Sequence, residues 1–553
     1  GAISGLSFPT AGSVGLFDTA YQATLQNFTL SGVTLGAVTM GRQFGSLAGM
    51  AAGCKFENIT LSGFTHSGNL SYETRSGLGG LVGVTKVKPS AFTNCKLTGL
   101  DINLTSGGNC KLDVGGLVGN VSVDGCDWTN CSVTGQILTG FASSHQVSAV
   151  DLSCVGGLVG QDNSSSGKSV TQNCLVSADL SGGITGGIFG QVKSNQIMNC
   201  TFVGNASTSP NAVLKPNETA PVLTVGGIAG VLRHDSGAPT IDGCAVLGTI
   251  SAQQYGGGIL GYGDVLTSSS AVTNIKNCQV SGVVKGTEGS GGGLVGGTEY
   301  ALTISDSYFA GQVEGSGKGG ILGVQNAEVA ISLTNVLFDS SLVIVGVTTI
   351  GGRPAFPECA VAAGDTTKWP GFATGKTAWI PATETHYPQL SRMTGEPLAT
   401  IAQRATRKLF AAGGASSVYE VPSAVVTSGN FKSVHDAAIT AAPDAAGAFS
   451  VASTDTAGGY QTYGLTTNAT TSGTITFTYA GLTRPLSIPY RVGLKMFTYG
   501  SGTAADPYLI PDAATMEVFR KFVNDGKATA GICFVIARPN ADPYVPGAYT
   551  GGI

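Results

Sequence analysis

The sequence predicts an all-β chain in which a parallel β-helix, a solenoid of stacked coils, is followed by a small β-sandwich and a short helix-containing segment. A glycine step, in most copies Gly-Gly-apolar-apolar-Gly, occurs nine times between residues 45 and 323. Alternating apolar and polar residues follow these steps, and a period of two is typical of a strand with one buried face. Residues 20–345 have no convincing helical period. Together these observations favour stacked strands over helices.

The composition suits a folded repeat architecture. The 553 residues include 84 glycines but only 29 lysines and arginines and 33 aspartates and glutamates, and 42% are hydrophobic. The formal net charge of -4 and the lack of a basic cluster argue against nucleic acid and anionic membrane surfaces as partners. No apolar run reaches the roughly 18 residues of a transmembrane helix. The first residues do not form a signal peptide, so we expect export signals and anchors outside this sequence.

The glycine steps define repeat units of unequal length. They stand at residues 45–49, 79–83, 115–119, 156–160, 186–190, 226–230, 257–261, 292–296 and 319–323. Spacings of 27 to 41 residues indicate one constrained face with loops that vary, as in solenoids. A unit of short strands without helices can bury its apolar face only against the next unit. We therefore expect the units to stack as coils.

The paired glycines of these steps are candidate structural residues. We expect them either where the chain turns a corner with a positive φ or where adjacent coils pass too close for a Cβ atom. The pairs chosen are Gly79, Gly80, Gly115, Gly116, Gly156, Gly157, Gly226, Gly227, Gly292 and Gly293.

A column of cysteines forms the sharpest constellation: Cys95, Cys131, Cys174, Cys200, Cys244 and Cys278. Zinc binding is disfavoured because there is no C-x-x-C pair and no nearby histidine pair. In-register side chains of stacked coils point in parallel and fit a disulfide poorly, so we interpret the cysteines as small buried residues. The preceding asparagines, Asn94, Asn130, Asn173, Asn199 and Asn277, could form a hydrogen-bonded side-chain ladder.

Two disulfides stay open at this point. One would join Cys110 to Cys154 between neighbouring coils, and the other would link Cys126 to Cys131 locally. Either one would indicate an oxidising compartment.

The Gly-Gly-Leu-Val-Gly step, followed by Asn-Cys and an x-Val-x-Gly strand, resembles the GLUG motif repeat of bacterial cell-surface proteins, which are often large and adhesin-like. The resemblance covers about residues 12 to 350. It implies a β-solenoid, here expected to be right-handed, and a location at the cell surface. The motif residues of this family are structural, so the resemblance implies no catalytic role.

The composition changes after the repeats, and we expect four parts in the chain. Residues 1–350 form the solenoid, and residues 351–404 form its C-terminal cap, rich in proline and aromatic residues. Four aromatic residues of the cap are expected to plug the open end, although an aromatic platform for sugars is an alternative. They are Trp369, Phe372, Trp379 and Tyr387.

Residues 405–495 contain short alternating runs, such as Ile475, Phe477 and Tyr479, that suggest a β-sandwich. This part loosely resembles a bacterial Ig-like spacer. Residues 496–553 contain a predicted helix at about 512–525, with Met516, Phe519 and Val523 on one face. In GLUG-type chains this segment resembles the entry to a solenoid, so the chain reads as part of a tandem array. In the alternative, the end of one subunit completes the fold of the next in a filament.

Catalytic chemistry is not expected. The five histidines, His66, His145, His234, His386 and His435, are in no zinc-protease motif and are interpreted as surface or loop residues. The carboxylates weighed for glycoside chemistry, Glu73, Asp124, Asp151 and Asp306, fall at different places in the repeat. We expect no enzyme, no cofactor and no metal site.

The expected function is mechanical and adhesive: a stiff stalk in a large extracellular bacterial surface protein or fibre. Its expected partners are the preceding and following copies of the same module and host or cell-surface glycans or proteins, with no nucleic acid and no membrane within this segment. A self-assembling filament subunit and a carbohydrate-binding or carbohydrate-cleaving β-helix are the alternatives.

Overall fold

The computed structural model describes part of the chain in two compact units, Gly1–Thr406 and Arg407–Ile553. The described residues are 1–8, 15–36, 43–147, 153–164, 169–193, 195–209, 211–215, 221–234, 239–265, 272–325, 329–340, 349–350, 353–354, 356–361, 367–382, 387–393, 409–411, 419–422, 427–433, 439–443, 449–457, 460–467, 473–479, 486–493, 508–510, 516, 519–520 and 533–535.

The larger sheet of the first unit has 25 described strands, and its neighbouring strands run parallel. They are Ala2–Ser4, Ser7–Phe8, Thr24–Leu35, Phe44–Gly45, Lys55–Gly79, Ala91–Thr93, Lys96–Gly115, Asp127–Thr129, Ser132–Phe141, Cys154–Gly156, Val170–Gln172, Leu175–Gly182, Ile184–Gly186, Gln196–Met198, Thr201–Thr208, Thr224–Gly226, Thr240–Asp242, Ala245–Ala252, Tyr255–Gly257, Thr273–Lys276, Gln279–Gly292, Leu302–Phe309, Gln312–Gly319, Ile331–Asp339 and Ala360–Val361.

The second sheet has ten described strands, and all except the first begin at the fourth residue of a glycine step. They are Phe17–Tyr21, Ala48–Ala52, Val82–Thr85, Val118–Val121, Val159–Asp162, Phe189–Lys193, Ala229–His234, Leu260–Val265, Val295–Thr298 and Leu322–Gln325. These strands also pair in parallel, each with the equivalent strand of the neighbouring repeat.

Strands pair with their equivalents one repeat away and not with their sequence neighbours. Ser132–Phe141, for example, lies between Lys96–Gly115 of the preceding repeat and Leu175–Gly182 of the following one. Each repeat is therefore one coil, and successive coils lie directly on one another. The predicted all-β, parallel, solenoid-like stack is confirmed.

The interior of the stack is a single apolar cluster that extends from Phe8 to Cys359. Inward side chains lie on the inward side chains of the next coil, as the rings of Phe56 and Phe92 do, with centroids 4.6 Å apart and planes 7° from parallel. Trp128 continues this ring stack 6.2 Å beyond Phe92. Because parallel pairing keeps equivalent positions in register, apolar residues repeated along the sequence become continuous columns.

Short elements complete the first unit. A side sheet pairs His145–Val147 with Ala212–Leu214 in parallel, and two antiparallel pairs join Thr349–Ile350 to Arg353–Pro354 and Trp379–Ile380 to Gln389–Leu390. The described helices are short: the 3-10 helices Pro357–Cys359 and Ser391–Met393 and the α-helix Lys368–Phe372.

The predicted plug differs from the structure. Trp369, Phe372, Trp379 and Tyr387 surround Tyr308, with ring centroids 5.6 to 5.9 Å from its ring. Tyr308 lies outside the main apolar cluster, whereas the next residue, Phe309, belongs to it, so Tyr308 points outward from its strand. The aromatic residues therefore cover a flank of the solenoid.

The end of the interior is instead covered by a shorter segment. Ala360–Val361 pairs with the last long strand at Phe338, and Cys359 belongs to the apolar cluster. The aromatic sugar platform is also not found, because Trp369, Phe372 and Trp379 are only 3%, 1% and 3% exposed. A buried ring has no free face on which a sugar can stack.

The second unit contains two four-stranded sheets. In the first, Leu409–Ala411, Thr427–Ser433, Tyr460–Thr467 and Phe449–Ala457 lie in that order, and in the second Tyr419–Pro422, Leu486–Gly493, Gly473–Tyr479 and Ile439–Pro443 do. All pairs are antiparallel except Tyr419–Pro422 with Leu486–Gly493. The strand predicted from Ile475, Phe477 and Tyr479 is thus confirmed.

Near its C-terminus, Tyr508–Leu509 pairs in parallel with Phe534–Val535. Met516, Phe519 and Arg520 have helical backbone, and the rest of the helix predicted at 512–525 lies outside the described residues. The Phe519 ring lies 4.6 Å from the Phe534 ring.

The paired glycines lie where the backbone approaches too closely for a side chain. A Cβ atom on Gly115 would lie 2.0 Å from the Val118 carbonyl oxygen, and one on Gly116 would lie 2.2 Å from the Gly157 carbonyl oxygen in the next coil. The equivalent pairs beginning at Gly79, Gly156, Gly226 and Gly292 have contacts of 1.8 to 2.2 Å. Neither Gly115 nor Gly116 has a positive φ. Of the two predicted roles, close approach is the one observed.

Replacing Gly116 by alanine should therefore destabilise the solenoid strongly. The nearest obstructing atom is the Gly157 carbonyl oxygen, a backbone atom that cannot rotate away, and both Val133 methyl carbons lie 2.8 Å from the Cβ position. Gly116→Ala is therefore expected to cost about 3 kcal/mol or more in urea denaturation followed by circular dichroism. Gly371→Ala is the matched control, because a Cβ atom there meets nothing within 4 Å. Equal stability of the two variants would contradict the close-approach explanation.

Candidate functional site: the stacked corners

Each coil turns a corner immediately before the cysteine position, and one residue makes the turn in the left-handed region. The residues at this corner are Asn27, Asn58, Asn94, Asn130, Asn173, Asn199, Gly243, Asn277, Asp306 and Asn335, with φ between +46° and +64°. Asparagine tolerates this conformation better than most residues because its short amide hydrogen-bonds locally. Eight of these ten described corners use asparagine, and we call the column the corner ladder.

Side-chain amides join the corners from coil to coil. Asn94 Nδ2 donates to Asn58 Oδ1 at 3.0 Å, Asn130 Nδ2 to Asn94 Oδ1 at 3.2 Å, and Asn173 Nδ2 to Asn130 Oδ1 at 3.2 Å. The predicted ladder is confirmed for Asn94, Asn130 and Asn173. An amide suits this arrangement because it carries both a donor and an acceptor, so one residue type serves every rung.

Two corners depart from asparagine. At Gly243 the chain has no side chain to offer, and Asn277 instead donates to Asp242 Oδ1 at 2.8 Å. At Asp306 the carboxylate accepts from Asn335 Nδ2 at 2.8 Å and forms an ion pair with Lys376. Both departures are visible in the sequence, because Gly243 and Asp306 stand where most repeats have the asparagine that precedes the cysteine position.

The cysteine column lies just inside this ladder. Cys95, Cys131, Cys174, Cys200, Cys244 and Cys278 are at most 1% exposed. Each thiol points to carbonyl oxygens, as Cys131 Sγ does to Thr129 O at 3.4 Å and Phe92 O at 3.5 Å. Burial raises the pKa of the thiols of Cys174 and Cys278 well above the usual range. Such thiols are poor nucleophiles, which fits the predicted packing role.

The two disulfide alternatives have different outcomes. Cys126 and Cys131 are free thiols, and Cys126 Sγ donates to Thr85 Oγ1 at 3.5 Å, so the local link is not formed. Burial raises the pKa of Cys126 to about 11. The Cys110 side chain lies outside the described ones. The link from Cys110 to Cys154 therefore stays a prediction, and Cys154 itself is fully buried.

A buried carboxylate lies at the end of one strand of the second sheet and was not anticipated from the sequence. Asp162 is fully buried at the end of Val159–Asp162 and accepts from the Ser164 backbone N–H at 2.8 Å and from Asn195 Nδ2 at 3.1 Å. Burial raises the pKa of Asp162 to about 6, because these hydrogen bonds offset only part of the cost of desolvating the charge. The signal available was an aspartate in a column that holds Thr85 and Val121 in the preceding coils.

One histidine contradicts the surface interpretation. His66 is 1% exposed, and it pairs in register with Leu35 and Ile102, so it occupies an interior column. Its Nδ1 lies 3.0 Å from the Leu35 carbonyl oxygen, while Nε2 has no hydrogen-bond partner among the described residues. Burial lowers the pKa of His66. The alternation of its strand could have revealed the position.

The remaining candidates for chemistry do not converge. Asp124 lies in a loop and Asp306 at a corner, whereas the side chain of Glu73 and all of Asp151 lie outside the described residues. His145 is half-buried and stacks on Phe141 with centroids 4.7 Å apart. The His234 side chain and residues His386 and His435 also lie outside the described part. Within that part, no group of three or more histidine, cysteine or acidic residues could hold a metal ion.

The ladder can be tested at Asn130, which has a partner on each side. Asn130→Gly keeps the left-handed turn and removes two amide contacts, so it should cost about 1 kcal/mol, whereas Asn130→Ala should cost about 2 kcal/mol because it adds backbone strain. Urea denaturation of the full chain measures both. Equal losses for the two variants would show that the turn conformation contributes nothing.

Asp162 should make the protein less stable as the pH rises. The folded pKa of about 6 lies above the unfolded value of 3.8, so the folded state holds a proton that the unfolded state has released, and this stabilisation is lost as the pH passes through 6. Asp162→Asn should gain up to about 3 kcal/mol at pH 8 and nothing at pH 4. Asp101→Asn, at an exposed carboxylate, is the control. The same gain at both pH values would refute the assignment.

His66 should act in the opposite direction. Its folded pKa lies below the unfolded value of 6.5, so protonation favours the unfolded state and stability falls as the pH drops below about 6.5. His66→Leu, which copies Leu35 of the preceding coil, should remove this loss between pH 7 and pH 5. His145→Gln serves as the control. An unchanged pH profile in His66→Leu would mean that His66 is not the group responsible.

Comparison with known proteins gives no assignment, since no family model, curated protein or solved structure matches the chain. Within the described residues, no helix has the length and apolar character needed to cross a membrane.

Proposed function

We propose that this chain is a structural and adhesive segment of a large, repetitive extracellular bacterial surface protein or fibre, in which it acts as a stiff stalk. The proposal includes a right-handed parallel β-helix of the GLUG type and an Ig-like spacer. It assigns no catalytic activity and no cofactor. The proposed partners are neighbouring copies of the module and glycans or proteins of a cell surface.

The observation that carries the proposal is that backbone pairing continues through the glycine corners. Leu117 N donates to Leu158 O at 2.9 Å, and Leu158 N to Ile188 O at 3.0 Å, so the corners do not interrupt the contact between coils. Together with the continuous apolar interior, this couples every coil to both neighbours. Ten strands in the smaller sheet, at about 4.8 Å each, make a rod on the order of 45 Å long. Such a rod resists bending better than a chain of separate domains.

Support for the spacer comes from its strand order. Numbered along the chain, its eight strands have the orders 1-3-6-5 and 2-8-7-4 in the two sheets. Immunoglobulin-like sandwiches place strands A, B, E and D in one sheet and C, F and G in the other, with the same alternation along the chain. Small sandwich domains of this kind commonly serve as spacers in surface proteins.

Surface location and adhesion can be tested together. Antibodies against residues 1–350 should label intact cells of the source bacterium, and protease added to intact cells should remove the label. Labelling only after permeabilisation would contradict the extracellular stalk. A glycan array combined with a hydrolysis assay separates the adhesive role, which gives binding without cleavage, from a carbohydrate-cleaving β-helix.

A second candidate, a filament subunit joined end to end by strand complementation, is favoured by the first edge of the solenoid. Among the described strands, Phe17–Tyr21 has one partner, Ala48–Ala52, and its other edge is unpaired. Phe17 and Tyr21 are 42% and 56% exposed. An edge with exposed apolar residues can pair with a strand of another chain.

Light scattering of the purified chain distinguishes the two candidates. A filament subunit should polymerise with rising concentration, and Phe17→Lys with Tyr21→Lys should prevent this because charged side chains oppose edge pairing. A monodisperse monomer at all concentrations favours the stalk segment over the filament.

A further inference from the structure

A segment after the last coil returns along the flank of the solenoid, and we call its described residues, 367–382 and 387–393, the strap. Its aromatic residues pack on the outward-facing Tyr308, whose Oη donates to Pro388 O at 2.7 Å. Farther along, the Leu390 N–H donates to Gln279 Oε1 at 3.3 Å. Along the strap, later residues therefore contact earlier coils, so the strap runs back toward the N-terminal end of the solenoid.

The end of the strap reaches two coils beyond Gln279. Arg392 Nε donates to Gly243 O at 2.7 Å, and Arg392 Nη2 lies 3.3 Å from both Cys200 O and Thr201 Oγ1. Near its start, the Phe372 carbonyl accepts from Asn335 Nδ2 at 3.2 Å. From Asn335 back to Thr201, the strap therefore touches five successive coils.

Two of the three described lysine and arginine residues of the strap, Arg392 and Lys376, bind at the two corners that depart from asparagine. Arg392 binds the carbonyl of Gly243, and Lys376 pairs with the carboxylate of Asp306. An asparagine at position 243 would bring a Cβ atom within 2.4 Å of Asn199 Oδ1, and its amide would compete for the space beside the carbonyl. An asparagine at 306 would carry no charge for Lys376. The other eight described corners, all asparagine, receive neither cation.

We propose that the strap is a clamp that docks in one register along the last five coils, and that Gly243 and Asp306 set this register by receiving Arg392 and Lys376. In a stack held by nearest-neighbour contacts, terminal coils can open one at a time. A clamp anchored at both ends of a five-coil block makes these coils open together. The corner ladder thereby determines where the strap docks, in addition to joining neighbouring coils.

Native-state hydrogen exchange of the full chain tests this clamp. In the wild type, the amides of Thr201–Thr208, Ala245–Ala252, Gln279–Gly292 and Leu302–Phe309 should exchange through one common opening. Gly243→Asn and Arg392→Gln should each speed exchange in the strap about ten-fold and give the four strands graded rates, because losing a charge-assisted anchor shifts the opening equilibrium by about that factor. Strands Lys96–Gly115 and Ser132–Phe141 should be unaffected.

Asp306→Asn tests the same anchor with a substitution that is expected to fold, because asparagine already occupies eight equivalent described corners. It should release the strap like Lys376→Gln, and the double exchange Asp306→Lys with Lys376→Asp should restore protection. Asn130→Gly is the matched control: it breaks the ladder where no strap docks and should leave strap exchange unchanged. Wild-type exchange of the strap in both Gly243→Asn and Asp306→Asn would overturn the proposal, as would a released strap that leaves the last five coils opening together.

Discussion

In-register parallel hydrogen bonding between neighbouring coils is the constraint on which the rest of the structure depends. It places each residue directly beside its equivalent in the next coil, about 4.8 Å away. The residue at a given position of one coil must therefore pack against identical or similar residues in the coils on either side. Glycine pairs, asparagine corners and buried cysteines all repeat for this reason. A charge repeated in the same way would repel its own copies, which is consistent with a chain that is only 11% charged.

The same constraint explains why single departures from the pattern carry information. His66 stands in an apolar column and Asp162 in a column of small or apolar residues, and each has a pKa displaced by burial. Gly243 and Asp306 stand in the asparagine column, and each receives a cation of the strap. In a repetitive stack, a residue that departs from its column is therefore the place to look for a shifted pKa or a contact that the other coils do not make.

Much of this architecture follows from the sequence because its signals are local and repeated. The glycine step and the alternation after Cys131 were enough to predict stacked strands, buried thiols and the amide ladder. Contacts between distant residues were not accessible in the same way. The outward direction of Tyr308, and with it the flank position of Trp369 and Trp379, depends on which residue of the strand enters the core. His66 and Asp162 are marked only by their places in an alternating strand and in an aligned column, and their polar side chains argue against burial, so both signals are weaker than a repeated motif.

Distances between spin labels on the outer face of the coils test the in-register stack most directly. Thr65, Asn205, Thr249 and Val283 lie in one column of aligned residues that begins at Thr34. Along this column, Asn205, Thr249 and Val283 lie four, five and six coils beyond Thr65. Pulsed electron paramagnetic resonance measures the distance from a genetically encoded spin label at Thr65 to a second one at Asn205, Thr249 or Val283. The backbone separations should be about 19, 24 and 29 Å, respectively, a rise of about 4.8 Å per coil. Separations that do not rise by a constant step along this series would contradict the stacked architecture.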